Sequence, residues 1–93
     1  MKLHVYSQET RAAARRGVLL ALAEVTRALE HLWMCELAAE RCLDAGSAML
    51  PLAAGLLMMA KASADEAEVE LHRAIDEHTR AHARRDVEME IAS

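Results

Sequence analysis

Few side chains in this sequence can do chemistry, and their spacing limits what each can do. His78 and His82 stand four apart in His-Thr-Arg-Ala-His. On a helix that spacing puts two imidazoles on one face, the start of a transition-metal site. A complete site needs more ligands. The neighbours expected across a helical hairpin are Ala14, Arg15 and Val18, and none is a good one. The expectation is therefore no bound metal and no cofactor, with His78 and His82 as the candidate ligands if a metal is held.

Glu36 and Glu40 fall within an apolar stripe. Di-metal helical bundles use inward carboxylates together with a Glu-x-x-His motif, and that motif is absent: the nearest arrangement, Glu68 to His72, is one residue too long. An ion pair of Glu36 with Lys61 across the hairpin is the simpler expectation, and it would help fix register. His31, Cys35 and Cys42 share another helix face. They are too few to hold zinc by themselves, so they read as ordinary interface residues. The two cysteines lie about 10 Å apart along a helix, beyond the ~7 Å limit for a disulfide. Reduced thiols suit a cytoplasmic location.

The arginines gather at Arg11, Arg15 and Arg16 and again at Arg80, Arg84 and Arg85, but acids are interleaved and the net charge is −4. This balance argues against a nucleic-acid partner. There is no glycine-rich phosphate loop, and no triad pattern surrounds the serines. The expectation is a non-enzymatic protein.

The elements that would carry these residues are helices. Ala, Leu, Glu and Arg dominate, with three glycines, one proline, one Trp, one Tyr and no Phe. This composition favours long helices over an aromatic-centred core. Residues 53–78 show the clearest pattern: Ala53, Leu57, Ala60, Ala64, Ala67, Leu71, Ala74 and His78 recur at alternating steps of four and three, the seam of one helix packed along another. An equivalent seam runs Val18, Leu22, Val25, Leu29, Leu32, Glu36, Ala39, Leu43. Folding the chain back about residue 48 pairs the two seams, largely large against small.

The fold class expected is all-α: one helical domain over 1–93, built as a long antiparallel hairpin. Its helices run from about 8 to 45 and from about 51 to 86, with a turn at 46–50. Ser7 is a candidate N-cap, Gly46 suits a left-handed helix stop, Ser47 can cap the second helix, and Pro51 fits its first turn. Gly17 is the weak position of the first helix. Ser63-Ala-Asp-Glu66 spells a capping box, so a break near Ser63 giving three helices is the alternative. Residues 2–6 and 87–91 alternate polar and apolar, the pattern of short terminal strands; the alternative for 87–91 is a frayed tail that continues the second helix. Paired as a ribbon, they would set Lys2 and His4 against Glu88 and Glu90.

The seams leave apolar residues over, and these define the expected function. Leu29, Trp33, Met34, Leu37, Leu52, Met58 and Met59 cluster toward the turn, more than a two-helix hairpin can cover. They predict assembly into a homodimeric helical bundle, or a groove for a helix of another protein. The expected role is a small protein–protein interaction module of the adaptor, chaperone or anti-activator kind. The alternative is a metal-binding helical bundle built on His78 and His82, with catalysis as a further option. The apolar run Ala45–Ala60 is shorter than the ~20 residues needed to span a bilayer, and the N-terminus lacks a signal-peptide pattern. No membrane association is expected.

Overall fold

The structure is a computed structural model that describes the backbone of residues 2–92 and the side-chain environments of residues 9–83. Two helices of 43 residues each, α1 (Lys2–Asp44) and α2 (Leu50–Ala92), pack along one another as a hairpin. At about 1.5 Å per residue each helix is roughly 65 Å long, which accounts for the 70 × 15 × 13 Å extents. The radius of gyration is 20.7 Å, against roughly 12 Å for a compact domain of this length.

The turn is built from local hydrogen bonds. Gly46 adopts φ 60°, the left-handed conformation that glycine takes without steric cost. Gly46 N–H donates to Leu43 C=O (3.1 Å) and Ser47 N–H to Cys42 C=O (2.9 Å). Together they make the Schellman closure that satisfies the last carbonyls of a helix. Ser47 then caps the start of the second helix: its Oγ accepts from Met49 N–H at 3.1 Å. Pro51 lies in the first turn of α2, where its missing N–H costs little.

Two expectations are corrected, and the three-helix alternative is not found: α2 runs through Ser63 without a break, as in the two-helix reading. A capping box there would interrupt packing through Ala60, Ala64 and Ala67, and continuing a formed helix adds a hydrogen bond per residue. Residues 2–6 and 87–91 are helical, not strands. An isolated strand pair is marginal in water, whereas extending an existing helix needs no new nucleus. The helix also passes through Ser7, so α1 does not begin there as expected. The expected pairing of Lys2 and His4 with Glu88 and Glu90 falls outside the described side chains.

The α2 seam is observed as expected: every residue from Ala53 through His78 in that series is buried or half-buried, and Ala81 continues it. The α1 seam is rotated. Val18, Val25, Leu32 and Ala39 are half-buried as expected, but Ala21, Ala28, Cys35 and Cys42 accompany them, while Leu22, Leu29, Glu36 and Leu43 are exposed. This amounts to a turn of about 50° about the helix axis. Two effects favour it. Small residues on both helices allow a close approach of the backbones. The rotation also leaves the Glu36 carboxylate in water, where burial would have been costly.

Candidate interaction surface

The packed seam covers little. Among the described residues only Ala60 (2% exposed), Ala64 (4%) and Ala81 (7%) are buried. Fourteen large apolar side chains among the described residues are exposed. Of the residues expected at an interface, Leu29, Trp33, Met34, Leu52, Met58 and Met59 are exposed, while Leu37 is half-buried. Trp33 is 59% exposed and Met58 73%.

Exposure on α1 has its own periodicity. Leu19, Leu22, Thr26, Leu29, Trp33, Glu36, Glu40 and Leu43 recur at alternating steps of three and four, and all are exposed. This is a second seam, about 100° around the helix from the first. Near the turn it borders an open groove of about 390 Å³, lined by Trp33, Glu36, Leu37, Ala39, Glu40 and Leu43 from α1 and by Leu50 and Leu57 from α2. Leu20 and Met34 on α1 and Leu52, Leu56 and Met59 on α2 are exposed as well. Sequence reasoning missed Leu19, Leu20, Leu22, Leu43, Met49, Leu56, Val69 and Ile75 as exposed apolar residues. The regular small residues Ala21, Ala28, Cys35 and Cys42 were the available sign that the leucines beside them point elsewhere.

The polar features are sparse. The Glu36–Lys61 ion pair does not form, and both residues are exposed. Among the described residues the ion pairs are Arg27–Glu24 and Arg73–Glu70, each 3.0 Å, each within one helix and exposed. Pairs of this kind contribute only ~0.3–0.5 kcal/mol, so apolar contact holds the helices together. Arg84 and Arg85, from the second basic cluster, fall outside the described side chains. Cys35 and Cys42 are free and half-buried, and Cys35 Sγ lies 3.8 Å from His31 Nε2. His78 and His82 approach to 3.1 Å between their Nε2 atoms. Among the described residues no three potential ligands converge on a metal position, and no helix is long and apolar enough to cross a membrane.

No protein family, curated protein or solved structure matches the chain.

Proposed function

We propose that this protein is a non-enzymatic helix–helix interaction module that assembles first with a second copy of itself. The observation that carries this reading is the open second seam of α1. A helix in a four-helix bundle packs against two neighbours, through two seams roughly a quarter-turn apart. In the hairpin α2 covers one of these seams and nothing among the described residues covers the other.

Surface area supports the same reading. The chain exposes 7454 Å², whereas a folded monomer of 10.3 kDa exposes about 5,400 Å². Two hairpins that each buried half of the difference would bury roughly 2,000 Å² together, enough for a stable dimer. Charge adds a further argument. Glu36 and Glu40 line the groove with no ion-pair partner among the described residues, and Lys61 and Arg41 are exposed near the turn. In a two-fold arrangement the basic groups of one copy can meet the carboxylates of the other.

Other exposed apolar residues near the turn, Met34, Leu52, Leu56 and Met59, remain open for the helix of another protein. Methionine suits such a surface because its side chain adapts to the partner's shape. This is the adaptor, chaperone or anti-activator class of action, and two free thiols suit a cytoplasmic setting. Sedimentation equilibrium of the full chain at micromolar concentration tests the reading. A mass of about twice 10.3 kDa is expected, and a monomer across that range refutes self-assembly.

A further inference from the structure

We propose that His78 and His82 form a two-nitrogen site for a divalent transition-metal ion of the nickel or copper class. Helical spacing alone leaves side chains four apart with Cβ atoms about 5–6 Å from one another. Here the rings turn inward: their centroids are 4.3 Å apart, their planes meet at 74°, and the Nε2 atoms come to 3.1 Å. In the metal-free protein one Nε2–H donates to the lone pair of the other ring. With an ion bound, both Nε2 atoms present lone pairs and the protons reside on Nδ1.

The separation is compatible with one class of coordination geometry. With metal–nitrogen bonds of about 2.0–2.1 Å, two nitrogens 3.1 Å apart subtend roughly 95–100° at the ion. That is close to the right angle between neighbouring positions of a tetragonal or octahedral ion and short of the tetrahedral angle, which favours Ni²⁺ and Cu²⁺. No cluster of three or more potential ligands occurs among the described residues. Among the described residues the two imidazoles are therefore the protein ligands, fewer than the four side chains that lock in a structural metal. His82 is exposed and His78 is half-buried on the packed seam. An ion arriving from solvent would thus tie a residue of the helix–helix contact to one on the surface.

Titration of the full chain with Ni²⁺, followed by calorimetry and by paramagnetic broadening of ¹H–¹⁵N NMR signals, tests the site and does not depend on the state of assembly. The expected result is one saturable equivalent per chain, with broadening centred on residues 78–82. His82→Gln and His78→Gln should each weaken that binding about tenfold or more, since each removes one of two nitrogen ligands. His72→Gln, on the same helix, should leave it unchanged. Circular dichroism reports whether each variant keeps its helices, and exposed His82 is the safer substitution. Broadening centred on His31 and Cys35, broadening spread over all the histidines, or an isotherm indifferent to His82→Gln in the folded protein would overturn the proposal.

Discussion

Trp33→Ala is the most direct probe of the second seam. A full tryptophan side chain offers up to about 250 Å², and Trp33 keeps 59% of its surface in the hairpin, so roughly 150 Å² remains to be buried. At about 25 cal/mol per Å² the ceiling is near 4 kcal/mol. Alanine retains part of the contact and no interface seals a residue perfectly, so about 2 kcal/mol per copy is the expected loss. A two-fold dimer loses it twice, and the dissociation constant should rise by roughly a thousandfold. The hairpin itself should barely notice, because Trp33 lies off the α1–α2 seam. Sedimentation velocity over a concentration series reads the dissociation constant, and thermal melting of the dilute monomer serves as the control. A dissociation constant changed less than threefold would remove Trp33 from any self-contact and refute the reasoning from the exposed seam.

Further predictions concern the hairpin. Gly17→Ala and Gly55→Ala should each stabilise it by ~0.5–1 kcal/mol in urea denaturation, because an added Cβ meets nothing within 4 Å at either position and alanine is the better helix former. Gly46→Ala should do the reverse by about 1 kcal/mol, since φ there is +60° and the left-handed conformation penalises a side chain. Ala64→Leu should cost about 1–3 kcal/mol by forcing the closely spaced helices apart, visible as a lowered urea midpoint.

How far the sequence could be read is clearest at the seams. Along α2 beyond the turn half acids flank the seam, with Asp65, Glu66, Glu68 and Glu70 around Ala64, Ala67 and Leu71, and off it stand the exposed Val69 and Ile75. Periodicity there admits one answer, and it agrees with the observed burial. α1 carries two adjacent seams, and Leu22, Leu29 and Leu43 look more like core than Ala21, Ala28, Cys35 and Cys42. Periodicity locates the stripes but cannot rank them, because close backbone approach between small residues is a property of the pair of helices. The terminal alternation was misleading for a related reason: period-two patterning signals a strand only where a sheet exists to receive it. At the histidine pair the shared face followed from spacing alone. The approach to 3.1 Å depends on rotamers, which spacing does not encode.

The tight closure at Gly46 and Ser47 also bears on how the molecule comes together in time. Contacts beside the turn close loops of only a few residues, whereas those between Thr10 or Ala14 and Ala81, which line one groove at the far end, enclose most of the chain. Closure entropy rises with the logarithm of loop length, so pairing is cheapest at the turn and each paired layer shortens the loop that the next must close. Folding should therefore run as a zipper from the turn outward. Changes near Gly46 would slow its start, and changes near Ala81 would mainly hasten its opening.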